Sequence, residues 1–445
     1  MQSSTITASY LARYHRLDEE TQTPEFPGEL LPVTGAQRRF LLTRRMDPAG
    51  RPALVPLFFA FPRGAVDLDR LRAAAGYLAA LHPALRARPE VRRGVPVQRV
   101  GAARGWAHRV AVRPGERAAG ALVRALGDWP VDGPPLRFFL AASETGPGTE
   151  VPDGGAESEL LALVLDHAAC DEQSLGRITE DLTRAYDHGL GPYDVPETEA
   201  AAELAGYREA VHLQLAAEER ASGPDSLSYW ARRLAVLRPP APAAPRDAAP
   251  GTGAALRRLP LPADGGRAVA FPALLDGCAA AARTLYGAGH TPALGYPWGG
   301  RPAAAAPVLG CFLNTVVHPA TECGPDERTT AWWDDLDRAD APFDEVVHAA
   351  RGAGVPWSGH LDGVLTFEDL HRRPPLRLGG ATGHETHVDD RPLQAPFAVS
   401  VSYGTDLLVR MVWQRTAVPD GLAEDAFAVL LATLRTACAP QTTAS

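Results

Sequence analysis

Six consecutive residues, Asp166-His167-Ala168-Ala169-Cys170-Asp171, gather an imidazole, a thiol and two carboxylates. An imidazole titrates near neutrality. His167 is therefore suited to take a proton from an attacking amine or hydroxyl, or to hydrogen-bond that nucleophile into place. Asp171, four residues on, has the spacing to pair with an arginine and fix a turn. The plain alternative is a satisfied core histidine, since His-x-x-x-Asp spacings arise by chance. Cys170 would need an aligned base and a third orienting group to act as a thiolate, so small-residue packing is its simpler role.

Other constellations fare less well. His384, Glu385, His387, Asp389 and Asp390 hold metal-capable groups but lack the H-E-x-x-H helix spacing. They read as a solvated polar loop, and no metal is expected. Around Ser358, Pro356 and His360 stand where a nucleophile elbow needs its glycines. No G-x-G-x-x-G follows a strand. The five cysteines, Cys170, Cys278, Cys311, Cys323 and Cys438, form no C-x-x-C and read as reduced thiols.

The elements that must position His167 are legible. Glu159 to Asp166 is a continuous apolar run, a strand buried on both faces, with His167 at its end. Leu136 to Ala142 is its partner, joined through the Gly/Pro-rich stretch Ser143 to Glu157 as a hairpin with a long loop. Glu172 to His188 has helical period through Leu175, Ile178, Leu182 and Tyr186, and Gly189 stops it. Asp67 caps a helix running to His82, preceded by a strand over Leu54 to Phe61. Short strands are expected at Val97 to Val100 and Ala107 to Val112, and helices over 199–237. The second half continues with a helix at Pro272 to Leu285. Strands follow at Ala293 to Tyr296, Cys311 to Val317, Gly363 to Phe367, Phe397 to Val401 and Leu407 to Trp413, and a closing helix at Leu422 to Thr436. The fold class is α/β or α+β. Residues 1–30 read as an irregular lead-in, 31–220 as an N-terminal lobe carrying His167, and 221–445 as a C-terminal lobe. The Pro/Ala-rich stretch 238–253 reads as a stiff linker.

Composition narrows the function. The 445 residues are 45% apolar and 22% charged, as a globular chain should be. All 44 basic side chains are arginine. Without lysine there is no P-loop and no Schiff-base chemistry. The net charge of −9 argues against nucleic acid as a partner. No apolar run is long enough for a membrane helix, and the N-terminus lacks the apolar core of a secretory signal, so the expected location is the cytoplasm.

The ordered segments resemble the condensation domains of nonribosomal peptide synthetases, within the chloramphenicol-acetyltransferase-like acyltransferases. Leu31-Pro32-Val33-Thr34-Gly35-Ala36-Gln37-Arg38 is similar to the family's opening L-T-x-A-Q segment. Leu81 to Arg88 resembles R-H-x-x-L-R-T-x-F, and Pro135-Leu136-Arg137 the strand start before the active-site hairpin. Tyr229-Trp230, Gly300-Arg301, Gly310 to Thr315 and Pro342 to Val347 resemble four later segments. Together they cover roughly residues 30–437.

The resemblance implies two acetyltransferase-like lobes in a V-shaped pseudo-dimer with a central tunnel. It implies a free-standing, monomeric condensation enzyme that binds no cofactor of its own. An acyl or aminoacyl group would arrive as a thioester on the phosphopantetheine arm of a carrier protein met in trans. The acceptor would be a small amine or alcohol, or a second carrier-bound group. In the family motif H-H-x-x-x-D-G, the second His maps onto His167 and the Asp onto Asp171. The first His is Asp166 here and the Gly is Glu172. His167 would be catalytic, and Asp171 would pair with Arg301, tying the strand end to the second lobe. Cys170, Ser174, Trp298 and Asn314 would belong to the motif or line the tunnel, and Glu172 would narrow or charge it, or simply sit in the first helical turn. Arg38, Arg39, Arg44 and Arg45 are candidates to meet an acidic carrier protein. Two other outcomes follow from the same family. Asp166, Asp171 and Ser174 fit the D-x-x-x-x-D-x-x-S spacing of heterocyclisation domains. Altered motifs also occur in condensation-like domains that do no chemistry and recruit a partner protein.

Overall fold

The computed structural model describes residues 5–21, 30–48, 50, 52–129, 133–142, 158–238, 251–261 and 270–438. The expected loop 143–157 and residues 239–250 of the expected linker lie outside the described residues. Two compact units emerge. One comprises 1–217, 300–313 and 373–388, and the other 218–299, 314–372 and 389–445. Two segments from the second half of the chain thus belong to the first unit.

The first unit is built on a five-stranded sheet. Its order is His384–Thr386, Leu54–Pro62, Ser158–Asp166, Leu136–Ala142, Ala107–Arg109, antiparallel except for the last pair. Ser158–Asp166 lies at the centre, paired from Leu54↔Asp166 to Pro62↔Ser158 on one side and Leu136↔Leu165 to Ala142↔Glu159 on the other. This placement explains its unbroken apolar run. Leu161, Leu163 and Leu165 face a large core with Leu71, Leu78, Leu175, Ile178 and Leu182, from helices Leu68–Leu81 and Glu172–His188. Ala162 and Val164 point the other way, against Leu122, Trp129 and Phe139. Each fully buried Leu or Val contributes about 1.5–3 kcal/mol, so a polar replacement on either face would break the strand that ends at His167.

Several expectations are corrected. The lead-in is not wholly irregular: Ile6–Thr21 is a helix, because Tyr10, Tyr14 and Leu17 recur on one face and are buried. The polar loop around His384 is instead an edge strand, since His384, Glu385 and Thr386 pair with Ala60, Phe59 and Phe58. Among the described residues no group of His, Cys, Asp and Glu could hold a metal. The strand expected from Cys311 begins at Leu313, because the Phe312 N–H is turned aside to donate to Asp171. The Ala107 strand ends at Arg109.

The second unit carries a six-stranded sheet, in the order Leu313–Pro319, Ala293–Gly299, Gly363–Asp369, Phe397–Tyr403, Asp406–Gln414, Thr252–Pro260. The Ala293, Gly363 and Phe397 strands run parallel, and each of the last two strands is antiparallel to the one before it. Helices Phe271–Tyr286 and Asp420–Cys438 contribute Leu274, Leu275, Cys278, Ala282, Phe427, Leu430 and Leu434 to its core. Tyr229 and Trp230 are structural, donating to Asp335 and to the Arg338 carbonyl. Among the described residues no helix is long and apolar enough to cross a membrane.

Candidate active site

The buried strand stops at Asp166, and the chain makes a 3-10 turn over His167–Ala169. Asp166 caps that turn by accepting from the Ala168 N–H at 3.0 Å. The His167 N–H donates to the Ala53 carbonyl at 2.8 Å, fixing the turn to the neighbouring strand. Asp171 then caps helix Glu172–His188 by accepting from the Ser174 N–H, and Gly189 ends that helix at φ 65°. Cap, strand end and helix start therefore leave His167 little backbone freedom.

The ring of His167 is held from two sides. Nδ1 lies 3.1 Å from the Cys170 carbonyl. A carbonyl only accepts, so Nδ1 carries the proton and Nε2 keeps the lone pair. Phe40 stacks on the ring at a centroid distance of 4.4 Å and 23° between planes. His167 keeps part of its surface accessible although protein crowds round it. That burial lowers its pKa from the usual 6.5. The Cys170 carbonyl and the Asp171 charge oppose the shift, and Arg39 reinforces it. At neutral pH the imidazole is uncharged, with a basic nitrogen at the end of a rigid strand, as general-base chemistry requires.

Asp171 is a structural centre. Both its oxygens receive Arg301 Nη1, at 2.9 and 3.0 Å. It also accepts from the Ser174 N–H and hydroxyl and from the Phe312 N–H. Arg301 further donates to Ser174 Oγ and to the Val308 carbonyl, with its guanidinium over the Phe312 ring. The pair is buried, with 4% and 9% of the side chains exposed. It lies within the first unit, because residues 300–313 bond back to the start of helix Glu172–His188. The expectation that it joins two lobes is corrected accordingly.

The remaining candidates separate. Asp166 shares no hydrogen-bonding partner with Asp171 and Ser174 in the described contacts. It lines a cavity of about 100 Å³ with Arg44, Arg88, Trp129 and Pro134. Burial raises its pKa despite the Ala168 N–H and the charges of Arg44 and Arg137. Cys170 is wholly buried and its thiol is pushed well above its ordinary range by burial and by nearby Cys311 and Asp171, so it is no nucleophile. Glu172 is exposed in the first turn of its helix, where the dipole favours it. Asn314 brackets a loop of the second unit, donating to the Ala339 and Ala341 carbonyls and accepting from the Phe343 N–H. Trp298 is 38% exposed at the end of its strand. Of the four arginines, Arg38 donates to Thr7 and lies over Tyr10, and Arg39 is half-buried. Arg44 donates to the Gly50 carbonyl, and Arg45 is exposed beside Leu42 and Met46.

Sequence reasoning missed the helix that covers the turn, Gly35–Met46, and with it Gln37 and Phe40. Its signal was present: Thr34-Gly35-Ala36-Gln37 is a capping box, with Thr34 Oγ1 receiving the Gln37 N–H and Gln37 Oε1 receiving the Thr34 N–H.

No protein-family model matches the chain. It is 28% identical over 429 residues to a probable non-canonical nonribosomal peptide synthetase, CymA of Salinispora arenicola, in a match that takes in 85% of this chain. The chain spans only 5% of that relative's length. Among solved structures, the X-domain from teicoplanin biosynthesis is similar with a TM-score of 0.65 and 18% identity, over 93% of this chain and 96% of that one. The same X-domain in complex with OxyB gives 0.63 at 18%, over 93% and 94%. A mutant starter condensation domain of rhizomide synthetase, solved with C8-CoA, gives 0.64 at 16%, over 96% and 97%. By sequence the chain is similar to a small part of a nonribosomal peptide synthetase, and its fold is that of the X-domain and of a starter condensation domain.

Proposed function

We propose that the chain is an acyltransferase of this type. It transfers an acyl or aminoacyl group from a carrier protein's phosphopantetheine thioester to an amine or hydroxyl, forming an amide or ester. The observation that carries the reading is the state of His167: uncharged, Nδ1–H on the Cys170 carbonyl, Nε2 bearing the lone pair. His167 Nε2 would take the proton of the attacking nucleophile, or hold it in line, as the thioester carbonyl is attacked and the thiol leaves. Asp171 and Arg301 would act as a lock beneath the turn and touch no substrate. No cofactor is required by this scheme, and the proposed setting is the cytoplasm. The acceptor is a small amine or alcohol, or a second carrier-bound group. On the covering helix, Arg45 with Leu42 and Met46 offers an exposed basic and apolar face suited to an acidic carrier protein.

A second reading has one specific support. The X-domain, whose fold this chain shares, has been solved in complex with the protein OxyB. Recruitment of a partner protein without turnover is therefore the rival function. Heterocyclisation has less support, since Asp166 does not join the Asp171–Ser174 cluster.

Intact-mass spectrometry of carrier proteins loaded with a panel of acyl and aminoacyl groups tests the proposal. Wild type should unload a carrier and form the matching product, and His167→Ala should not. Binding of a partner with every carrier still loaded would favour recruitment. A product lighter by a further water would favour ring closure.

A further inference from the structure

We infer that Gln37 and Phe40, on the helix Gly35–Met46, are positioning residues that decide which ring nitrogen of His167 is basic. The inference rests on the acyl-transfer reading for its purpose but not for its test. Among the described contacts the His167 ring has no carboxylate partner. Its Nδ1 meets a backbone carbonyl, that of Cys170, so the tautomer is only as well defined as the turn that presents that carbonyl.

The turn is clamped at one residue, Ala168. The Ala168 N–H is held by the Asp166 carboxylate at 3.0 Å. The Ala168 carbonyl accepts from Gln37 Nε2 at 2.9 Å. The Gln37 amide cannot turn over without loss, because its Oε1 receives the Thr34 N–H at 3.0 Å. The amide is held in turn by Gln98. Gln98 Oε1 accepts from Gln37 Nε2 at 3.1 Å and from the Tyr207 hydroxyl at 2.7 Å, and Gln98 Nε2 donates to the Pro32 carbonyl at 2.6 Å. Gln37 and Gln98 are each 2% exposed and Tyr207 1%. Burial raises the Tyr207 hydroxyl to about 12, so it stays a donor throughout the working range. A buried polar chain with every end satisfied is rigid, and its loss leaves an orphaned carbonyl in the turn.

Phe40 completes the device. It lies three residues after Gln37 and so on the same side of the helix. Its ring covers one face of the imidazole, which opposes the half-turn that would swing Nδ1 away from the Cys170 carbonyl and put Cδ2 in its place. One helix thus holds the carbonyl side of the turn through Gln37 and the ring through Phe40.

The test is ¹⁵N NMR of the histidine rings in wild type, Gln37→Met, Phe40→Leu, Phe40→Tyr and Tyr207→Phe, with thermal melts to establish folding. In wild type the Nδ1–H form of His167 should exceed the Nε2–H form by about tenfold, the ratio set by one buried hydrogen bond. Gln37→Met and Phe40→Leu should each bring the two forms to within about threefold. Tyr207→Phe should move the ratio the same way but less, and Phe40→Tyr, which keeps the stack, should leave it as in wild type. Should Gln37→Met not fold, Phe40→Leu decides alone. Folded variants with wild-type ring signals, or a wild type protonated on Nε2, would overturn the inference. The predicted signals in a protein that transfers no acyl group would keep the positioning and remove the acyl-transfer reading. Acyl transfer with unchanged signals in Phe40→Leu would do the reverse.

Discussion

Removing Arg301 is the most informative structural perturbation, because the Asp171 carboxylate beneath the His167 turn depends on it. Arg301→Met keeps length and apolar bulk over Phe312 while deleting the cation. Asp171 would retain the Ser174 N–H and hydroxyl and the Phe312 N–H, but lose the contacts at 2.9 and 3.0 Å. Stranding one partner of a buried pair costs about 3–5 kcal/mol. The surviving donors place Arg301→Met near the lower end of that range. Asp171→Asn keeps shape but leaves the guanidinium in a half-satisfied pocket, with an expected cost of about 2–4 kcal/mol. The double variant should cost less than the sum of the two, with a coupling of roughly 1–3 kcal/mol. Chemical denaturation supplies the free energies. Hydrogen exchange of peptides over 166–188 and 300–313 places the loss in the first unit. Single variants within about 1 kcal/mol of wild type, or strictly additive effects, would refute the claim that this pair locks the strand end.

Four further outcomes are expected. Burial holds His167, His212 and His318 below 6.5, so each takes up a proton when the chain unfolds. Stability should therefore fall as pH drops below about 6.5, with a shallower slope in His167→Gln, as read by denaturant midpoints across pH. For the same reason the acidic limb of kcat/KM, where His167 becomes protonated, should have an apparent pKa below 6.5. Glu172→Gln should lose only about 0.3–1 kcal/mol in thermal melts and leave turnover unchanged, since the side chain is solvent-exposed. Cys170, Cys278 and Cys311 are buried and their thiols raised, so mass-mapped alkylation of native protein should spare them and label them only on unfolding.

Local patterns carried much of the fold. Asp67 and Gly189 cap and stop their helices where side-chain chemistry said they would, and the apolar run Leu160–Leu165 announced a central strand. Mixed or short signals were harder. Ile6–Thr21 is mostly polar, and only its buried Tyr10, Tyr14 and Leu17 make it a helix. His384–Thr386 is a strand because the sheet edge at Phe58–Ala60 pairs with it, which no local propensity encodes. At the site, His167, Asp171 and Arg301 were legible from the motif. Gln37, Phe40, Gln98 and Tyr207 act through contacts spanning 61 to 131 positions, for which one sequence offers no guide. The absence of lysine has a functional side as well. Under the proposed acyl transfer, the chain would have no ε-amine of its own for a thioester to acylate.

The most direct test of the central claim pairs wild type with His167→Ala on one acyl-loaded carrier protein and one amine acceptor, followed by intact mass. The account predicts unloading with a matching amide in wild type, and neither in a folded His167→Ala. Equal unloading by both proteins would contradict it.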